Sequence, residues 1–188
     1  LFLFTNLYNF MDGIDGLLST HSIISSLLAI FLFSITKETG NLIILCSILC
    51  AVNIGFLVWN WAPARLFLGD SGSIPTGFLL GMIALESVLG GEVPAAAWLI
   101  IFSPFLADSL VTLLVRAFGL KNIFRPHSSH MYQKLARKWN SPRRVVITMA
   151  AFQFFWCAPL VISVVNFPQQ ELNLVILAYL PLLLGLFN

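Results

Sequence analysis

Asn6, Asn9, Asp12 and Asp15 recur at every third position of the stretch Asn-Leu-Tyr-Asn-Phe-Met-Asp-Gly-Ile-Asp-Gly-Leu. Residues three apart are neighbours on a helix, so a helical backbone here turns two amides and two carboxylates toward one place. Each aspartate is followed by a glycine, Gly13 and Gly16, which suits a chain leaving a helix and turning with its backbone exposed. Hard cations take carboxylate and carbonyl oxygens, so Mg²⁺ or a polar ligand is the natural occupant. The same residues also suit a plain helix cap and turn, because Asp-Gly is common turn chemistry. A site therefore needs partners from elsewhere in the chain.

Three further groups qualify. Phe67-Leu-Gly69-Asp70-Ser-Gly72-Ser73 sets an aspartate between glycines at the mouth of an apolar run, where backbone can approach a phosphate and the carboxylate can hold its metal. Asn60, just before Trp61-Ala62-Pro63-Ala64, offers an amide to a base or sugar at the same surface. His127 and His130 lie three apart in a basic loop beside Arg125, where they suit phosphate oxygens. A zinc pair is disfavoured because neither a cysteine nor a nearby third histidine accompanies them. Asp108 and Glu86 fall inside apolar runs, where ionisable residues are costly and functional by default. Asp108 suits either orienting a loop through a hydrogen bond or facing the site.

The elements that must position these residues are membrane helices. Of 188 residues 59% are hydrophobic and 10% charged, with a mean hydropathy of +0.92, against roughly 45–50% and ~25% in soluble domains. Apolar runs at 17–36, 41–61, 74–89, 93–115, 145–165 and 172–187 predict an all-α, polytopic transmembrane bundle of about six spans, a single domain over 1–188. Eleven uncharged residues open the chain, too few to span a bilayer, so the chain reads as the carboxy-terminal part of a longer protein. Cys46, Cys50 and Cys157 all lie in apolar runs and read as packing residues.

Eight of the ten basic residues fall between Arg116 and Arg144. The excess of Lys and Arg marks that loop as cytoplasmic. Counting back two spans at a time puts the loops near 62–73 and 6–16 on the same side. The polar segments thus meet at one cytoplasmic face of the cell membrane. Lys134, Arg137, Lys138, Arg143 and Arg144 read as a solvated juxtamembrane patch touching anionic lipid head groups. Nucleic acid is not an expected partner.

Taken together, these segments resemble the polyprenyl-phosphate N-acetylhexosamine-1-phosphate transferases, glycosyltransferase family 4. The resemblance rests on Asn6 to Gly16, on Gly55-Phe56-Leu57 leading to Asn60 and Pro63-Ala64, on Phe67 to Ser73, on Pro104 and Asp108 preceding Arg116, and on His127-Ser-Ser-His130-Met-Tyr132-Gln133. It implies Mg²⁺-dependent transfer (Mn²⁺ as substitute) of a sugar-1-phosphate from a UDP-sugar to a polyprenyl phosphate, releasing UMP. By the same resemblance Asp12, Asp15 and Asp70 are catalytic, Asp70 and Asp15 hold the metal, and Asn6 and Asn9 line the pocket. Asn60 and Phe67 would meet the uridine, and Arg125, His127 and His130 the diphosphate. The histidine loop reads His-x-x-His-x-Tyr-Gln, nearer the members serving O-antigen or capsule synthesis. The family's paired aspartate is not in this chain. A transporter segment, with binding groups at mid-bilayer, and an inactive membrane scaffold are the rival readings.

Overall fold

The computed structural model describes residues 1–36, 40–118 and 130–186, and these contain helices and no strand. An apolar chain in lipid must satisfy its backbone polar groups within each segment, and helices do so. In order, α1 is Phe2–Met11, α2 Leu17–Ile35, α3 Asn41–Asn60, α4 Asp70–Leu89, α5 Ala95–Ile101 and α6 Ser103–Phe118. They are followed by α7 Met131–Lys138, α8 Pro142–Phe152, α9 Ala158–Asn166 and α10 Glu171–Leu186.

The expected all-α membrane bundle is what forms. By length and apolarity, α2, α3, α4 and the run Pro142–Asn166 suit a span, and α5 with α6 makes a fifth if that bent pair is counted as one. The fourth expected span is thus broken, with α5 and α6 set at 74°. Pro104 supplies the cause, since it has no N–H to offer a preceding turn and suits the start of a new helix. The last expected span, α10, has 16 helical residues, short of the ~20 that cross a bilayer. A π-helical turn, Gln153–Cys157, joins α8 to α9 just before Pro159, where a missing N–H is accommodated by widening the helix.

Two seams place the site. In the first, α1 lies antiparallel along α4, on the face carrying Ser73, Gly77 and Gly81 at helical spacing. A Cβ on Gly77 would lie 2.6 Å from Cβ of Tyr8, and one on Gly81 3.0 Å from a ring carbon of Phe4. Small residues at this spacing let two helices approach closely. In the second, Tyr8, Phe102 and Phe105 enclose His21 of α2, whose ring stacks on Phe105 at 3.7 Å between centroids. The hydroxyl of Tyr8 lies 3.0 Å from Nδ1 of His21. Gln153 completes the buried polar contacts, donating to Ser25 Oγ at 2.9 Å and to the Ile101 carbonyl at 3.2 Å. On the outside, α3 exposes Ile44, Ile48, Val52 and Val58, an apolar face suited to lipid.

Candidate active site

The acidic stretch begins as a helix and ends as a turn. Asn6 and Asn9 lie on α1, Asp12 caps it, and Gly16 opens α2 in the left-handed conformation at φ 78°. A residue with a side chain rarely adopts that conformation, so the glycine is required there. Gly13 is required for a different reason. A Cβ on it would sit 2.1 Å from the hydroxyl of Tyr132, so the turn is shaped around a side chain from α7.

The Gly-Asp loop folds against this turn. Gly69 precedes α4 at φ 61°, and Asp70 stands in the first helical turn, where the helix dipole favours a negative charge. Asp12 is half-buried and Asp70 exposed. Burial pushes the Asp12 carboxyl up from 3.8 to about 6; a hydrogen bond from the Gly69 amide opposes this and the charge of Asp70 adds to it. The Asp12 carboxylate therefore lies against the Gly69 amide and feels the charge of Asp70. Ser73 donates to Oδ1 of Asn9 at 2.7 Å, securing α4 to the end of α1.

A second set of bonds ties the turn to the preceding loop. Asp15 Oδ2 accepts from the Ala64 amide at 3.0 Å. Asn60, buried at the end of α3, accepts from the Gly16 amide at 2.8 Å and donates to the Leu66 carbonyl at 2.9 Å. Arg143 donates to the Ala62 carbonyl and lies over the Trp61 ring, 5.9 Å from its centroid. Arg143, expected in the solvated patch against lipid head groups, is thus tied to a loop of the site.

The third segment arrives through α7. Asp108, fully buried in α6, accepts from the amides of Met131 at 2.8 Å and Tyr132 at 3.1 Å. Of its two expected roles, orienting the loop is the one its hydrogen bonds serve. His130 is buried beside it, with Nδ1 3.4 Å from Asp108 Oδ1. The Tyr132 hydroxyl donates to the Phe10 carbonyl at 3.0 Å. Burial and the neighbouring charge of Asp108 push this phenol up, so it is a donor at neutral pH.

The expected residues are thus brought together unevenly. Asn9, Asp12, Asp15 and Asn60 are held together by the bonds given above, and Asp70 follows Gly69, which bonds to Asp12. Asn6 spends its amide within α1, donating to the Phe2 carbonyl at 3.0 Å. Phe67 projects from the loop, 73% exposed. Arg125 and His127 lie outside the described residues. Glu86 is exposed on α4, far from this cluster along the helix. Sequence reasoning missed Ser73 as a partner of Asn9, Arg143 as a loop tie, and the contact of Tyr132 with Gly13. The signal lay partly in Gly13, which reads as turn chemistry in the sequence, whereas its missing side chain makes room for Tyr132.

Among the described residues no three His, Cys, Asp or Glu side chains gather as a metal-binding group. Two carboxylates in one volume are nevertheless what Mg²⁺ commonly takes from a protein, with substrate phosphates and water completing its six positions. Asp12 and Asp70, on adjoining turns, are carboxylates of the kind such an ion takes. Asp15 keeps one oxygen beyond its bond to Ala64.

Helices with acidic turns gathered at one end of the bundle define a polytopic membrane protein with a polar site at its surface. Residues 1–88 match the family described as Glycosyl transferase family 4. The chain belongs to this family, the polyprenyl-phosphate hexosamine-1-phosphate transferases. The phospho-N-acetylmuramoyl-pentapeptide-transferase of Clostridium novyi is 34% identical over 148 residues, covering 76% of this chain and 43% of the relative. That of Listeria monocytogenes is 32% identical over 169 residues, covering 87% and 47%. The decaprenyl-phosphate N-acetylglucosaminephosphotransferase of Mycobacterium tuberculosis is 29% identical over 165 residues, covering 76% and 40%. The chain therefore spans less than half the length of these relatives.

Proposed function

We propose that the whole protein transfers an N-acetylhexosamine-1-phosphate from a UDP-sugar to a polyprenyl phosphate at the cytoplasmic face of the cell membrane. An oxygen of the lipid phosphate bonds to the phosphorus that carries the sugar. The bond from that phosphorus to the oxygen bridging to UMP breaks, and UMP leaves. The observation that carries this reading is the convergence of Asp12, Asp70 and the loop that follows Asn60 on one surface, in a chain whose relatives bear names of such transferases.

A phosphomonoester has its second pKa near ~6, so the acceptor is largely anionic at neutral pH. Charge neutralisation and in-line positioning then matter more than a strong base. Mg²⁺, when bound, would offset the charge developing on the diphosphate oxygens. Asp70 and Asp12 are the pair best placed to hold it, with Asp15 and Asn9 forming the adjoining wall. Phe67, exposed on the loop, is available to stack on the uracil. Arg125 and His127, with His130 oriented by Asp108, are assigned to the diphosphate. The lipid acceptor accounts for a polar site at the end of membrane helices, and the product would begin a cell-envelope glycan, O-antigen or capsule in kind.

Exchange of labelled UMP into a UDP-sugar, driven by the full-length protein with polyprenyl phosphate and Mg²⁺, tests this. Asp70→Asn should abolish exchange; undiminished exchange would remove Asp70 as the metal holder. No exchange with any UDP-N-acetylhexosamine would refute the transferase reading and favour a scaffold.

A further inference from the structure

Asp108 and Tyr132 form a connected path from the middle of α6 to the acidic turn. The two oxygens of Asp108 receive the first amides of α7, and Thr112 adds its hydroxyl at 3.3 Å. A carboxylate at a helix N-terminus satisfies donors that have no partner within the helix and favours the dipole. That fixes where α7 begins. Tyr132, the second residue of α7, is itself fully buried, and its ring extends to the turn. Its hydroxyl donates to Phe10, whose carbonyl is among those left over at the end of α1. It also receives Nε2 of Gln133 at 3.2 Å and fills the space above Gly13. Asp12 is the residue next to Gly13, and its carboxylate takes the hydrogen bond of the Gly69 amide.

We infer that Asp108 and Tyr132 are positioning residues for the transfer reaction: a strut, anchored in α6, that sets the acidic turn so that Asp12 faces Gly69 and Asp70. This rests on the reading of Asp12 and Asp70 as the reactive pair. Neither Asp108 nor Tyr132 need touch substrate to affect the rate. Displacing reacting groups by about 1 Å can cost on the order of a hundredfold.

The test uses the full-length protein and has two readouts. The first is thermal unfolding without divalent cations, for Gly13→Ala, Tyr132→Phe and the double variant. Gly13→Ala should lower the midpoint by several degrees in the parent. The loss should be less than half as large in Tyr132→Phe, where the hydroxyl that blocks the new methyl is gone. Equal losses in both backgrounds would overturn the contact. The second is UMP exchange by Tyr132→Phe and Asp108→Asn. An amide accepts through one oxygen only, so Asp108→Asn sets an NH₂ against a backbone donor. Both variants should lower kcat at least tenfold with KM for the UDP-sugar within twofold. A raised KM with unchanged kcat would overturn the positioning role. Absence of exchange in the parent would instead refute the transferase reading, and the unfolding cycle would still decide whether the strut exists. The cycle also stands if Asp108→Asn fails to fold.

Discussion

The Ser73 hydroxyl donates to Oδ1 of Asn9 at 2.7 Å, joining the first turn of α4 to the last of α1 across 64 residues of sequence. Ser73 is buried, so Ser73→Ala leaves the Asn9 acceptor without this donor in a confined place. An unsatisfied buried polar group costs about 1–3 kcal/mol. Thermal unfolding in detergent should show a midpoint lowered by several degrees, and UMP exchange should fall with it. An unchanged midpoint and rate would show that the bond matters little.

Gly77 and Gly55 make a matched pair. Gly77→Ala places a methyl 2.6 Å from Cβ of Tyr8, whereas nothing lies within 4 Å of a Cβ on Gly55. Overpacking typically costs 1–3 kcal/mol, about the range expected for Gly77→Ala. Gly55→Ala should be neutral or stabilising by up to about 1 kcal/mol, because alanine is the better helix former. Equal midpoints for the two variants would contradict the close approach of α1 to α4.

Asp12 links stability to pH with a definite sign. Its carboxyl is raised from 3.8 to about 6, so the fold favours the neutral acid. This contribution is complete below about 3.8 and is lost as pH rises through about 6. Without divalent cations, the difference in midpoint between the parent and Asp12→Asn should change between pH 5 and pH 7 in the sense that the parent loses stability relative to the variant. Protons and Mg²⁺ would compete for the same carboxylate, so the Mg²⁺ concentration for half-maximal exchange should rise below pH 6 in the parent. A pH-independent difference between the two proteins would remove the shift.

Asn60 ties two loops at once, and its replacement should reveal that. Asn60→Ala leaves the Gly16 amide and the Leu66 carbonyl without their partner. The expected loss is roughly 1–3 kcal/mol for each group left unsatisfied. Measured by denaturant or thermal unfolding, Asn60→Ala should be more destabilising than Phe67→Ala, since Phe67 is largely exposed. Phe67→Ala should instead raise KM for the UDP-sugar with little change in the midpoint. The reverse pattern would reassign both residues.

How much of this was legible in the sequence depended on whether the determinant was local. Apolar runs and the basic loop gave the helices and brought the polar segments to one end, because both follow from composition along the chain. The break before Pro104 had a local signal too, in a proline within a run otherwise long enough to span. What could not be read was which acidic residue meets which. Spacing placed Asp12 and Asp15 alike, yet Asp12 faces Asp70 while Asp15 turns to the Ala64 amide. That choice is made by the turn between them, and the turn takes its form from Tyr132, whose bond to Phe10 spans 122 residues. Arg143 was equally hidden, since nothing in a basic loop marks an arginine that returns to a backbone carbonyl.

The seam between α1 and α4 acts as a ruler. Phe4 and Tyr8 rest over Gly81 and Gly77 as teeth over notches, and one notch corresponds to about a helical turn, ~5.4 Å. A slip of that size would break the bond from Ser73 to Asn9 and draw the Asp12 turn away from Gly69. The interval between the two acids is therefore calibrated by glycines that have no reactive atom of their own.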